Sequence, residues 1–253
     1  MILDQFKLDG QVAIVTGASR GLGQAMAIGL AEAGADICAV DRSDQSATAK
    51  QIEKLGRKCW PVTADLSQRA SIPLIVQKTL DHFGHIDILV NNAGIIRRAP
   101  LTEFTEKDWD EVIDVNQTAL FLLSQAVAKV LIKQDTGGKI INVASLLSFQ
   151  GGIFVPSYTA TKSAVMGLTR LLANELAPHN INVNAIAPGY MATDNTAPLR
   201  ADPVRSKAIL ERIPAGRWGE PEDLKGIAVF LASKASSYMN GYTVAVDGGW
   251  LAR

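Results

Sequence analysis

The stretch from Val12 to Asp41 leaves little choice of fold. Val12-Ala-Ile-Val-Thr16 is a short apolar run of the kind a strand buried on both faces requires. It passes straight into Gly17-Ala-Ser19-Arg20-Gly21-Leu22-Gly23 and an alanine-rich helical pattern that reaches about Ala33. A second apolar run, Asp36 to Val40, ends at Asp41. A glycine-rich turn between strand and helix lets the backbone approach a pyrophosphate, whose charge is met by free N–H groups at the helix start. A carboxylate at the end of the next strand, about 20 residues beyond the glycines, accepts hydrogen bonds from a ribose and repels a 2′-phosphate. A P-loop is excluded, because no Gly-Lys-Ser/Thr follows the glycines. Strand, turn, helix, strand and acid in this order predict a dinucleotide site that prefers NAD to NADP. Arg42, directly after Asp41, is the residue placed to swing onto a 2′-phosphate instead.

Alternation of strand and helix continues to the end of the chain. A helical pattern from Ser43 to Leu55 leads to a strand near Lys58 to Val62, and Ile86 to Val90 forms the next, ending in Asn91-Asn92-Ala93-Gly94. A long helical stretch, Glu106 to Ile132, precedes a strand at Ile140 to Val143, and a helix beginning near Ser157 precedes strands at Ile181 to Ile186 and Tyr242 to Val246. Such a rhythm suits right-handed crossovers and predicts α/β architecture: one Rossmann-type, doubly wound parallel sheet with helices on both faces. The 253 residues contain no repeat, low-complexity tract or linker, so residues 1–253 read as one domain.

Charge and cysteine content exclude several functions. Lys plus Arg and Asp plus Glu number 25 each, so no global field attracts nucleic acid or an anionic membrane. Cys38 and Cys59 form no Cys-x-x-Cys pair, and with three His in the chain a metal site is not expected; the thiols read as reduced and structural. Acids occupy the first ten residues where a signal peptide needs an apolar run, and no uncharged apolar stretch reaches membrane-spanning length. The expected location is the cytoplasm.

The chemistry is expected between Ser145 and Lys162. Gly151, Gly152 and Pro156 break the chain between the strand ending at Ser145 and the next helix, which carries Tyr158 and Lys162 one turn apart on one face. A phenol exchanges protons at neutral pH only if its phenolate is favoured, and an ammonium one turn away favours it. Tyr158 is thus the candidate acid/base, with Lys162 as its tuner and Ser145 as a hydroxyl donor to a reacting oxygen. Taken alone, a Tyr and a Lys at this spacing are more often a packed ring beside a solvated amine.

Thr16-Gly17-x-x-x-Gly21-x-Gly23 together with Tyr158-x-x-x-Lys162 resembles the short-chain dehydrogenase/reductase family. The resemblance implies cofactor contacts at Gly17, Ser19, Arg20, Gly21, Leu22, Gly23, Asp41, Asp65, Leu66, Asn92, Ala93, Gly94, Tyr158, Lys162, Pro188, Gly189 and Thr193. Asp65 would meet the adenine, and its alternative reading is a local cap ahead of Ser67. Asn116 lies on an apolar helical face and must have its amide satisfied; the family's role for it is a water relay to the lysine, completing a tetrad with Ser145, Tyr158 and Lys162. Its other reading is a kinked helix without chemistry.

Phe83-Gly-His-Ile-Asp, Ser148-Phe-Gln-Gly-Gly and Ala187-Pro-Gly-Tyr-Met-Ala-Thr193 are similar to the family's sugar-acid dehydrogenases, which implies a deoxy sugar acid as substrate. Arg97 and Arg98 follow the Asn-Asn-Ala-Gly motif at the ligand edge of the sheet, where a guanidinium can clasp a carboxylate, and Gln150 is a candidate partner for a sugar hydroxyl. Solvation or a subunit contact is the other reading of the two arginines. The polar run from Thr193 to Arg212, interrupted by Pro198 and Pro203, is expected to be a mobile lid. Family members pair the 106–132 and 157 helices between subunits, which implies a homotetramer. A 3-oxoacyl-carrier-protein reductase shares the tetrad but needs basic surface and usually NADPH, and other sugar or polyol dehydrogenases remain open. Catalytically silent nucleotide sensors commonly lose the Tyr or the Lys.

Overall fold

A computed structural model describes residues Met1–Arg253. Strand β1 (Val12–Thr16) leads into helix α1 (Gly21–Glu32), β2 (Asp36–Asp41), α2 (Ser46–Lys54) and β3 (Cys59–Thr63). Helix α3 (Ser71–Phe83), β4 (Ile88–Asn91), α4 (Glu106–Ile113) and α5 (Ala119–Gln134) follow, the last two joined by a π-helical segment, Asp114–Thr118. Then come β5 (Gly138–Val143), α6 (Pro156–Leu176), β6 (Ile181–Pro188), α7 (Ala197–Ala201), α8 (Pro203–Leu210), α9 (Lys225–Ala232) and β7 (Thr243–Val246).

The seven strands form one sheet in the order β3-β2-β1-β4-β5-β6-β7, and every pairing is parallel. The order reverses between β1 and β4, which opens a crevice beyond their carboxyl ends, the place where ligands bind in such sheets. Period-two alternation explains the layers. Ala13 and Val15 of β1, with Ile37 and Ala39 of β2, face a core shared with Met26 and Leu30 of α1 and with Ala228 and Leu231 of α9. Ile14, Cys38 and Val40 face the opposite core, built with Ile75 of α3, Leu123 and Val127 of α5 and Leu172 of α6. Both faces are covered, which is why the strands are apolar runs and not alternating patterns.

The continuous stretch Glu106–Gln134 is long and apolar enough to cross a membrane, and 44% of its apolar window is buried in the fold, against the sheet and α3. The sequence marks it as too long for one ordinary helix, and it is interrupted by the π segment that carries Asn116. Strand β6 runs two residues beyond its expected end, because Pro188 pairs with Val246 and the following Gly189 N–H donates to the Val246 carbonyl at 2.9 Å.

The 193–212 region, expected as a mobile lid, contains α7 and α8, with Asp202 capping α8 by accepting from Val204 N–H and Arg205 N–H. Both cysteines are free, and burial pushes the Cys38 thiol up to about 11 and that of Cys59 to about 12. Neither is a thiolate near neutrality.

Candidate active site

A cleft of about 620 Å³ runs along the carboxyl edge of the sheet, from the end of β2 to the end of β6. That is the size of a typical ligand site. Every residue expected at the cofactor lines it: the glycine turn, Asp41, Asp65, Leu66, Asn92, Ala93, Gly94, Tyr158, Lys162, Pro188, Gly189 and Thr193.

The glycine turn owes its shape to close backbone packing. Gly17 and Gly21 have φ of +68° and +56°, which side-chain-bearing residues rarely adopt. A Cβ on Gly23 would stand 2.1 Å from the Gly17 carbonyl oxygen, so α1 can approach the turn only because the side chain is missing. Arg20, at the start of α1, supplies no side-chain cap. The first bond into the turn is Gln24 N–H to the Arg20 carbonyl at 3.3 Å, so the amides of Gly21, Leu22 and Gly23 have no acceptor within the protein. Three uncapped amides at the positive end of a helix, opening on the cleft, fit a pyrophosphate.

Asp41 closes β2 with both carboxylate oxygens engaged. Oδ2 accepts from Ser19 Oγ at 2.8 Å and Ser19 N–H at 3.2 Å, and Oδ1 accepts from Ser43 N–H at 3.0 Å. Each oxygen retains acceptor capacity toward the cleft. Arg42 also lines it, and Arg20 reaches across to Asp194 at 3.2 Å, both side chains being exposed. Asp65 accepts from Ser67 N–H at 2.9 Å while its carbonyl accepts from Ser71 Oγ at 2.8 Å. Its local capping is thus of a turn, since α3 begins only at Ser71. Asn92 braces the glycine turn, donating from Nδ2 to the carbonyls of Thr16 at 2.9 Å and Gly17 at 3.3 Å.

Three elements, the π segment, the end of β5 and α6, bring Asn116, Ser145, Tyr158 and Lys162 together. The buried Asn116 side chain binds Ile95 as a neighbouring strand would, accepting from its N–H at 2.8 Å and donating to its carbonyl at 2.9 Å. It also donates to Thr161 Oγ1 of α6 at 3.4 Å. The π segment is what turns this amide out of the helical surface toward the loop after β4. Ser145, just beyond β5, accepts from Leu147 N–H at 3.2 Å, which leaves its hydroxyl proton free. Pro156 opens α6, so Tyr158 and Lys162 sit in its first two turns.

Lys162 is 4% exposed, has no carboxylate partner and donates to the Val143 carbonyl at 2.6 Å. Burial draws its pKa down to about 8. Its Nζ lies over the Tyr158 ring, 5.6 Å from the centroid. Burial among protein atoms pushes the Tyr158 phenol above its ordinary value, even though part of the ring is open to the cleft; the Ser145 hydroxyl and the Arg98 guanidinium pull the other way. The Val143 carbonyl holds the amine over the ring face.

The two expected substrate arginines part company. Arg97 lines the cleft but is committed to two acids of α4, Glu111 at 2.7 Å and Asp108 at 3.4 Å. Arg98 has no acidic partner; it donates to the Asn195 carbonyl at 2.9 Å and so ties the loop after β4 to the loop after β6. Gln150 accepts from Trp250 Nε1–H at 3.2 Å and does not line the cleft. Val115, Met191, Asn195 and Thr196 do line it and were not singled out from the sequence. The polar run after Pro188-Gly189 held the signal for the last two; no signal marked Val115 or Met191 apart from ordinary core residues.

A family model described as short chain dehydrogenase matches residues 11–204. The 2-dehydro-3-deoxy-D-gluconate 5-dehydrogenase of Dickeya dadantii is 63% identical over 253 residues, covering 100% of both chains. Among solved structures, an Agrobacterium tumefaciens protein described as a 2-deoxy-D-gluconate 3-dehydrogenase, with bound NADP, superposes with a TM-score of 0.93 at 56% identity, covering 99% of this chain and 100% of that one. A gluconate 5-dehydrogenase from Burkholderia cenocepacia, in complex with NADP and tartrate, gives a TM-score of 0.95 at 40% identity over 100% of both chains. With the glycine turn, the cleft and the four polar side chains in place, the chain belongs to the short-chain dehydrogenase family.

Proposed function

We propose that the protein is an NAD-dependent dehydrogenase of a deoxy sugar acid, interconverting 2-dehydro-3-deoxy-D-gluconate and its 2,5-diketo counterpart, a step of pectin and uronate breakdown. The observation that carries this reading is the convergence of Ser145, Tyr158 and Lys162 at the β5–β6 side of a cleft whose other side bears Asp41. Full-length identity of 63% to a dehydrogenase of that name supports the substrate.

A bound nicotinamide would supply the hydride acceptor for the carbinol carbon, or the donor for the ketone. The chain's own residues bind, orient and move a proton. Gly21, Leu22 and Gly23 hold the pyrophosphate on their free amides, and Asp41 takes the adenosine ribose. Ser145 Oγ donates to the substrate oxygen, and Tyr158 Oη removes its proton during oxidation and returns it during reduction. Lys162, over the Tyr158 ring, stabilises the phenolate by charge, and Asn116 fixes Ile95 at the wall of the substrate end. Holding these groups in place replaces an encounter in solution by reaction within one site.

Asp41 supports NAD, since a second anion beside its carboxylate is repelled. The NADP bound by the Agrobacterium and Burkholderia proteins makes the preference a matter for measurement, with Arg20 and Arg42 as the cations available to a 2′-phosphate. For the substrate carboxylate, Arg98 is favoured over Arg97, because its guanidinium has no acid of its own. Phe121 and Leu171 stand exposed on α5 and α6, and the Gly167 position is open to solvent, which supports pairing of these helices between subunits in a homotetramer. Light scattering of the purified protein distinguishes a tetramer from a monomer. Catabolism of a small acid accords with a cytoplasmic location.

Initial rates with 2-dehydro-3-deoxy-D-gluconate, followed at the NADH or NADPH absorbance with each dinucleotide in turn, test the reading. Reduction of NAD at a kcat/KM at least about tenfold above that with NADP is expected. Turnover of other secondary alcohols but not of this acid would discard the substrate and leave the dehydrogenase.

A further inference from the structure

The C-terminal turn after β7 is tied to both walls of the substrate end. Trp250 is 3% exposed and packs with Leu146, the neighbour of Ser145, and with Ile209 and Ile213 at the end of α8. Its Nε1–H donates to Gln150 Oε1 at 3.2 Å. The Arg212 guanidinium lies over its ring at 4.1 Å, and Tyr190, just past the Pro188-Gly189 turn, packs at 4.7 Å between centroids. Asp247 holds the turn rigid by accepting from Gly249 N–H and Leu251 N–H, each at 2.9 Å. The Gly248 carbonyl accepts from Ala215 N–H at 3.0 Å, which joins the same turn to the chain leaving α8.

One side chain therefore touches three segments, the Ser145–Gln150 turn, the Tyr190 loop and the end of α8, of which the first two carry residues that line the cleft. An indole N–H can only donate, so the partner it meets on Gln150 must be the amide oxygen, and the amide nitrogen is left as the free end. We propose that Trp250 is a positioning residue that couples the α7–α8 segment to the Ser145 turn and fixes the orientation of the Gln150 amide. The inference rests on the sugar-acid reading for the role of Gln150, but the coupling between segments does not depend on which alcohol is oxidised. A ring merely filling the core would stabilise the chain without affecting α7 and α8 separately.

Two conservative variants test it on the full-length protein. Trp250→Phe keeps most of the buried ring and loses the N–H; Gln150→Met keeps the length of the side chain and loses the acceptor. Both are followed by thermal unfolding, by KM for 2-dehydro-3-deoxy-D-gluconate and for NAD separately, and by the rate of trypsin cleavage at Arg200, Arg205, Lys207 and Arg212. The expected result is folded protein, KM for the acid raised roughly three- to tenfold with KM for NAD unchanged, and cleavage within the α7–α8 segment accelerated by a similar factor. Cleavage at the wild-type rate in both variants, with only the unfolding temperature lowered, would overturn the coupling. If the wild-type enzyme does not oxidise this acid, the substrate assignment fails by itself and the cleavage rates alone decide the inference: acceleration supports it, and wild-type rates overturn it.

Discussion

Lys162 Nζ donates to the carbonyl of Val143 at 2.6 Å, and that bond, made across the end of β5, suspends the amine over the Tyr158 ring, 5.6 Å from its centre. The arrangement joins a strand end to a helix through one buried cation. It sets the amine over the ring face, with no hydrogen bond between the two side chains.

A buried lysine with its pKa drawn down to about 8 makes stability depend on pH. Between about 8 and the ordinary value of 10.5 the unfolded chain still binds the proton that the folded chain has released, so this group's contribution becomes more favourable as pH rises through that window. Below about 8 the cost of burying the charge is fully present. Lys162→Met is therefore expected to be inactive and, at pH 7, not less stable than wild type. The stability gap between the two should shift by roughly 2–3 kcal/mol in favour of wild type between pH 8 and 10.5. Urea midpoints across that range measure it; a gap independent of pH would mean that Lys162 titrates normally in the folded chain.

Asn116 satisfies both backbone groups of Ile95, which no aliphatic residue can do. Asn116→Ala strands a part-buried N–H and carbonyl and is expected to cost about 2–4 kcal/mol in urea unfolding, with kcat falling at least about tenfold. Asn116→Asp keeps the acceptor for Ile95 N–H and loses the donor to its carbonyl, so it should be intermediate in stability. Equal stability of the alanine variant and wild type would show that the π segment is held by packing alone.

Asp41 is the carboxylate that ends β2 at the adenosine end of the cleft, with Ser19 and Ser43 holding it. Asp41→Ala removes that charge and leaves Arg20 and Arg42 in place. The ratio of kcat/KM for NADP to that for NAD is expected to rise by roughly 10- to 100-fold, mostly through KM. An unchanged ratio in initial-rate measurements would remove Asp41 from the discrimination.

The parts of this molecule that were legible in the sequence are those fixed by local pattern. The run of apolar residues in β1, the glycines after it and Asp41 at the end of β2 fall where strand, turn and acid were expected, because each is set by its own stretch of chain. Tyr158 and Lys162 could be put on one helical face for the same reason. An irregularity at Asn116 was legible from an amide on an apolar face, but its π form and its partner were not, since the pairing with Ile95 is tertiary. Nor could the sequence separate Arg97 from Arg98. Only the packing of α4 shows that Glu111 and Asp108 take the first and leave the second facing the loop after β6. The tie between Trp250 and Gln150 joins residues 100 positions apart and has no local signature at all.

The central role in the proposed reaction is that of Tyr158 as the proton-transfer group of a nicotinamide-dependent dehydrogenase. Its most direct test is the steady-state oxidation of 2-dehydro-3-deoxy-D-gluconate by wild type and Tyr158→Phe, alongside dinucleotide affinity measured without substrate. Wild-type turnover with NAD, a kcat lowered at least about 100-fold in the variant, and dinucleotide affinity retained within a few fold are predicted. A Tyr158→Phe enzyme that oxidises the acid at a rate close to wild type would contradict it.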